Sequence, residues 1–99
     1  MRKRREYPAK IVLNRQEFLR VIIDPHYQDK HGDSVNDELI LKLVNSLNHQ
    51  EHPVGLVRDG FYFLKIEPVR WLGKPYRLIL TFRPGDDFLG VINAFRVED

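Results

Sequence analysis

The hydrophobic positions of this chain change their spacing near its middle. In the first half they recur every three or four residues, as on one face of a helix. These positions are Phe18, Leu19, Ile22 and Ile23. Asn14 precedes them as a candidate N-cap, and Asp24-Pro25 ends the segment because the residue before proline disfavours the α region. The pattern predicts a short helix over about 15–23, and Lys10 to Leu13 before it is either a short strand or the lead-in to that helix.

A second amphipathic segment predicts a helix from Ser34 to near Asn48. Ser34 is its candidate N-cap, and Asp37 and Glu38 lie in the first turn, where the helix dipole favours anions. Its hydrophobic stripe consists of Val35, Leu39, Ile40, Leu43, Val44 and Leu47. The width of this stripe indicates that the helix packs on a core.

Alternating patterns dominate the second half of the chain. Asp59-Gly60 is a strong hairpin signal, and further turn residues follow at 73–75 and 84–87. The predicted strands are Val54–Arg58, Phe61–Ile66 with an extension towards Trp71, Tyr76–Arg83 and Phe88–Val97. Since both helices must bury a hydrophobic face, we predict an α+β fold in which two N-terminal helices pack on one face of a four-stranded antiparallel meander sheet.

The same alternation assigns side chains to the two faces of that sheet. The predicted inward residues are Tyr76, Leu78, Leu80, Phe82, Leu89, Val91, Phe95 and Val97. The predicted outward residues are Phe61, Phe63, Lys65, Arg77, Thr81, Arg83, Ile92, Ala94 and Arg96. A face that combines cations with aromatic rings is typical of RNA-binding surfaces. The wet face of an ordinary antiparallel sheet also carries arginines, so a purely structural interpretation stays open.

Composition limits the classes of protein and of site. A chain of 99 residues forms one domain, and the absence of cysteine excludes disulfides, thiolate metal sites and cysteine nucleophiles. No apolar run reaches the length of a membrane span and none follows the N-terminal charges as in a secretory signal, so we expect a cytoplasmic protein without a membrane partner. The spacing of His49 and His52 does not indicate a zinc site, and no glycine-rich phosphate loop is present, so we expect neither a metal nor a cofactor.

Positive charge is concentrated at the N-terminus. Arg2, Lys3, Arg4 and Arg5 supply four of the 16 basic residues, which leaves 12 basic and 14 acidic residues in the remainder. We interpret residues 1–9 as a flexible basic arm before a single α+β domain over 10–99. Such an arm contacts nucleic-acid phosphates or is simply a solvated terminus.

The segment before the second predicted helix contains side chains suited to RNA cleavage. Cleavage through the 2′-hydroxyl needs a base, an acid and cations that stabilise charge on phosphorus, and histidine and arginine suit these tasks. The candidate catalytic residues are His26, Lys30, His31, Arg77 and Arg96. The candidate RNA-binding residues are Lys65, Arg77, Thr81, Arg83 and Asn93. His26, Lys30 and His31 also fit solvated loop positions, and Asn93 also fits a structural hydrogen bond.

Two stretches of the chain resemble the barnase–EndoU–colicin–RelE superfamily of small ribonuclease toxins. H-Y-Q-D-K-H-G-D-S-V-N-D-E-L-I (His26 to Ile40) resembles the start of a helix in phage-type and polymorphic-toxin branches. K-P-Y-R-L-I-L-T-F (Lys74 to Phe82) and V-I-N-A-F-R (Val91 to Arg96) resemble the last two strands, so that the similarity covers about residues 24–97.

The resemblance implies a metal-independent ribonuclease that acts on RNA and is neutralised by a small antitoxin or immunity protein. Lys30, His31, Arg77 and Arg96 would form its site, although a full catalytic set does not match. The alternative to an endoribonuclease is a non-catalytic RNA-binding or protein-interaction module that uses the same basic sheet face. Product formation from RNA distinguishes the two hypotheses.

Overall fold

The computed structural model describes residues 3–32 and 34–98, with the backbone but not the side chain of His31. Its main element is a six-stranded sheet in the order β1-β2-β6-β5-β4-β3. The strands are β1 (Arg5–Leu13), β2 (Gln16–Ile23), β3 (Leu56–Arg58), β4 (Phe61–Trp71), β5 (Lys74–Phe82) and β6 (Phe88–Arg96). A 3-10 turn (Pro25–Tyr27) and the helices α1 (Gln28–His31) and α2 (Asp37–Asn45) lie between β2 and β3. In this part of the chain, neither helix has the length and hydrophobicity needed to cross a membrane.

The predicted α+β arrangement of two N-terminal helices on a four-stranded antiparallel meander is wrong. The segment predicted as the first helix is β2, which forms a hairpin with β1. Asn14 and Arg15 make the two-residue turn of this hairpin with φ values of 52° and 64°. Because β2 also pairs in parallel with β6, the sheet is mixed rather than antiparallel.

An irregularity in strand pairing explains the helical spacing in β2. The register between β1 and β2 shifts between Pro8 and Ile11, as at a β-bulge. Phe18 and Val21 therefore both reach the core although they lie three residues apart. The β-branched run that ends at Ile23 fits an extended strand better than a helix.

The N-terminal boundary also differs from the prediction. Strand β1 begins at Arg5, so residues 5–9 of the predicted flexible arm belong to the sheet, and the folded domain begins before residue 10. Lys3 and Arg4 precede the strand and are exposed. Met1 and Arg2 lie outside the described residues.

Helix α2 begins at Asp37, three residues after the predicted cap Ser34. Asn36 is the N-cap, and its side-chain oxygen accepts a hydrogen bond of 2.8 Å from the Leu39 N–H. Ile40 and Val44 are fully buried in the core that α2 forms with the sheet. The second predicted helix is thus present but shorter at both ends.

The antiparallel pairing in the second half of the chain agrees with the prediction. Strands β3 and β4 form a hairpin at Asp59-Gly60, whose φ values of 53° and 81° suit a two-residue turn. Strands β4, β5 and β6 then pair in order. The alternation of Tyr76 to Phe82 places every second side chain of β5 in the core.

A second bulge reverses the predicted faces at the end of β6. Ile79 pairs with Asn93 but Leu80 pairs with Val91, so Ile92 is the extra residue on β6. Beyond this point the faces exchange. Ala94, predicted to point outward, is fully buried, and Phe95, predicted to point inward, contacts Arg77 on the other face.

A polar cluster ties α2 to β1. The Asp37 carboxylate accepts hydrogen bonds from the guanidinium of Arg5, including one of 2.7 Å from Nη2, and from the hydroxyls of Tyr7 (2.5 Å) and Tyr27 (2.6 Å). Only 16% of the Asp37 side chain is exposed. The hydrogen bonds from Arg5 lower the pKa of Asp37 to about 2. Burial, together with the hydrogen bond to Asp37, raises the pKa of Tyr27 to about 12.

We expect Asp37→Asn to lower the free energy of unfolding by about 2 kcal/mol at neutral pH, because it removes charge-assisted hydrogen bonds. The pKa of Asp37 is lower in the folded protein, so its carboxylate stabilises the fold above the ordinary pKa of 3.8. That contribution is lost as the pH falls from 3.8 towards about 2.

Urea unfolding followed by Trp71 fluorescence measures this difference across the acidic range. The stabilities of wild type and Asp37→Asn should converge in acid. Glu38→Gln, at an exposed neighbouring carboxylate that pairs with Lys42 at 3.2 Å, is the control and should change stability little. A difference between wild type and Asp37→Asn that stays constant with pH would disprove the role of the Asp37 charge.

Candidate nucleic-acid interface

The sheet face opposite α2 carries a row of residues that crosses all six strands. We call this surface the open face. Register pairs connect the row in the order Glu6, Ile22, Gly90, Thr81, Phe63 and Leu56. Gly90 has no side chain, so the row has a depression between Ile22 on β2 and Thr81 on β5.

This depression belongs to a groove of about 390 Å³. Its apolar lining residues are Ile22, Phe61, Phe63, Phe88, Val91 and Ile92. Arg4 and Asp24 also line it, with the Arg4 Nε atom 3.9 Å from the Asp24 carboxylate. We call this feature the aromatic groove. It is an apolar concavity with a cation and an anion at its surface.

Three arginines on the open face lie over aromatic rings. The guanidinium carbon lies 4.5 Å from the ring centroid in the pair Arg83–Phe61, 5.1 Å in Arg77–Phe95 and 5.8 Å in Arg20–Phe88. These distances permit cation–π attraction, which holds each guanidinium close to its ring. Two of the rings, Phe61 and Phe88, also line the aromatic groove.

Carboxylates orient two of these arginines. Arg77 donates hydrogen bonds of 2.7 and 2.8 Å to Glu67, which hold the pKa of that carboxyl below its ordinary value. Arg20 bridges Glu6 and Asp87 at 2.8 Å each. The open face therefore presents fixed guanidinium groups with nearby counter-charges rather than a continuous basic patch.

All five candidate RNA-binding residues lie on or beside the open face. Lys65 and Asn93 flank Ile79, to which both are paired. Arg77 and Thr81 occupy the same face of β5, and Arg83 follows that strand. Two of the five form hydrogen bonds with the backbone: the Thr81 hydroxyl donates to the Tyr62 carbonyl at 3.0 Å, and the Asn93 side-chain oxygen accepts from the Ala94 N–H at 2.9 Å.

The candidate catalytic residues occupy two regions. His26 lies exposed in the 3-10 turn and Lys30 exposed in α1, while the His31 side chain lies outside the described residues. Within residues 3–32 and 34–98, no hydrogen bond or ion pair joins these two side chains to Arg77 or Arg96. Arg77 and Arg96 instead line a common cavity with Arg70. The prediction that Arg96 points outward is wrong. Because of the β6 bulge, its register partner is the buried Tyr76, which lies on the core face of the sheet.

Sequence reasoning missed part of the open face that comes from β2 and β6. Arg20 and Ile22 were assigned to a helix, and Gly90 and Phe88 were not singled out. The two-residue turn at Asn14-Arg15 and the β-branched run after it were the available strand signals. Across residues 3–32 and 34–98, no group of three or more His, Asp or Glu side chains is placed to hold a metal ion.

Comparison of the chain with protein-family models, curated proteins and solved structures gives no match. The resemblance to ribonuclease toxins therefore stays a prediction.

The groove depends on Gly90, which gives a stability test. A Cβ atom at Gly90 would lie 2.9 Å from the Thr81 Cγ2 atom, and the Thr81 side chain is held by its hydrogen bond to Tyr62. We expect Gly90→Ala to lower the free energy of unfolding by about 1–3 kcal/mol through overpacking.

Thermal unfolding of two further variants tests this cause. Thr81→Ser removes the clashing methyl and keeps the hydroxyl, so it should restore most of the loss in the double variant. Gly55→Ala, whose Cβ would meet only an ordinary contact of 3.7 Å, is the matched control. A double variant that is no more stable than Gly90→Ala would show that the close contact with Thr81 is not the cause.

Proposed function

We propose that this protein binds single-stranded RNA on the open face. The observation that carries the proposal is the set of three arginine–aromatic pairs beside the aromatic groove. Unpaired bases stack on aromatic rings and on guanidinium planes, and both kinds of surface are present here. A duplex keeps its bases stacked on each other, so the proposal applies to single strands.

Cations near the groove supply contacts for the phosphates. Arg4 lines the groove and belongs to the basic segment at positions 2–5, while Lys65 and Arg58 are exposed on neighbouring strands. Glu67 accepts from the Nε and Nη2 atoms of Arg77, which leaves the Nη1 atom for a phosphate oxygen. Binding in this mode weakens with salt, because phosphate contacts release counterions.

Ribonuclease activity remains a separate prediction. In that reaction Arg77 would hold the phosphate, and His26 and His31 would transfer protons. The arginine–aromatic pairs support RNA binding with or without this chemistry. Cleavage is therefore a separate outcome of the experiment below.

We expect Phe63→Ala to weaken binding of a fluorescein-labelled single-stranded RNA by about tenfold or more. One base stacked on an aromatic ring contributes roughly 1–3 kcal/mol. Fluorescence anisotropy at several salt concentrations measures both the affinity and the salt slope, which is about −0.7 for each phosphate contacted. Gel analysis of the same RNA after incubation measures cleavage.

Leu72→Ala is the control, because Leu72 lies at the β4–β5 turn and is 87% exposed away from the groove. It should bind RNA as the wild type does. Wild-type protein without salt-dependent binding, or equal affinity of Phe63→Ala and wild type, would refute the proposal. RNA products that form with wild type and disappear with His31→Ala would add the ribonuclease activity.

A further inference from the structure

We infer that the aromatic groove binds guanine in preference to the other bases, with the Asp24 carboxylate accepting hydrogen bonds from the edge of the base. The inference rests on the proposed function and deepens it, because it names the base that the groove selects. Aromatic rings stack with every base, so a preference requires polar groups at the groove. Among the described residues that line it, Asp24 and Arg4 carry the charges.

The backbone places the Asp24 side chain on the open face. Asp24 directly follows β2 and keeps an extended conformation, with φ −77° and ψ 127°. Ile23 is fully buried in the core, so alternation puts Asp24 on the same face as Ile22. The Asp24 N–H donates to the Val91 carbonyl at 2.9 Å, which continues the pairing with β6. Because Ile22 pairs with Gly90, Asp24 lies about 7 Å along the strand from the depression at Gly90.

The Asp24 carboxylate is oriented before any ligand arrives. Its Oδ1 atom accepts a hydrogen bond of 2.9 Å from the His26 N–H. Its Oδ2 atom lies 3.9 Å from the Arg4 Nε atom, which is longer than a hydrogen bond and leaves space for a donor from a base. The Asp24 side chain is 30% exposed, so it is accessible from the groove. An acceptor held by the backbone loses little freedom when it binds, which favours binding.

Guanine is the base whose edge fits a carboxylate acceptor. Its Watson–Crick edge presents two adjacent donors, the N1–H and the N2 amino group, which together match the two oxygens of a carboxylate. Adenine and cytosine each present one amino group next to a ring nitrogen that accepts. Uracil presents one N–H between two carbonyl oxygens. A carboxylate repels those acceptors, so Asp24 discriminates against all three bases.

Arg4 supplies a donor beside this acceptor. Arg5 pairs with Ile23, so Arg4 stands opposite Asp24 on the neighbouring strand. In guanine the O6 acceptor lies next to the N1–H, so the arginine and the carboxylate together match three adjacent groups of one edge. A guanidinium has five N–H donors, so contact with O6 leaves donors for a phosphate.

Fluorescence anisotropy with three fluorescein-labelled RNAs tests the preference. Each RNA is an oligouridine with one central guanine, adenine or inosine. We expect the wild type to bind the guanine RNA about tenfold or more tightly than the adenine RNA, the discrimination expected for a base held by paired hydrogen bonds. Inosine lacks the N2 amino group, so the affinity for its RNA should lie between the other two.

Asp24→Asn is the decisive variant. The asparagine oxygen can still accept from the His26 N–H, whereas the amide nitrogen brings a donor against the donors of guanine. This variant should lose the preference for guanine over adenine and over inosine. Asp59→Asn is the matched control, because it makes the same change at the exposed β3–β4 turn, where asparagine before glycine suits the backbone. It should keep the wild-type preference.

The outcomes separate this inference from the proposed function. Salt-dependent binding of the guanine and adenine RNAs with equal affinity would overturn the inference and leave the proposed function standing. A guanine preference that persists in Asp24→Asn would also overturn it. NMR titration with guanosine monophosphate adds the remaining cases. A shift of the Gly90 amide signal in the wild type but not in Asp24→Asn, without binding of any RNA, would support the guanine site and overturn the proposed function. The absence of both the shift and RNA binding would overturn both.

Discussion

The parallel pairing of β2 with β6 makes one sheet from two parts that are distant in sequence. The Leu19 N–H donates to the Asp87 carbonyl at 2.7 Å, and the Asp24 N–H donates to the Val91 carbonyl at 2.9 Å, at opposite ends of this pairing. Without these bonds the N-terminal hairpin and the C-terminal meander would be separate sheets. A parallel pair requires a long connection, and here that connection contains α2, which covers the hydrophobic face of the joined sheet.

The open face depends on the same pairing. Ile22 and Gly90 are register partners across β2 and β6, so the row that contains the aromatic groove exists only when the two halves are joined. Arg20 and Phe88 form their contact across the same pair of strands. The proposed RNA-binding surface is therefore a product of long-range topology rather than of one local segment.

Because long-range pairing forms this surface, the sequence could predict only the parts of the fold that have local signals. The hairpin at Asp59-Gly60 and the alternation of β5 are local signals, so the meander and the positions of Arg77 and Thr81 could be predicted from them. Pairing between β2 and β6 leaves no local signal, and the bulge near Pro8 gave β2 a helical spacing of buried residues. The bulge at Ile92 likewise reversed the faces of the residues after it, which no regular alternation reveals.

The two outer edges of the sheet are protected in different ways. Along β1, the Val12 N–H donates to the Asn48 side chain at 2.7 Å, and the His49 N–H donates to the Val12 carbonyl at 2.6 Å. At the other edge, β3 has only three residues and ends at a tight turn. Long unpaired edges are where sheets of separate molecules join and aggregate. The segment after α2 thus covers the end of β1 at Val12, and a strand that added beyond β3 would find a backbone of only three residues to extend.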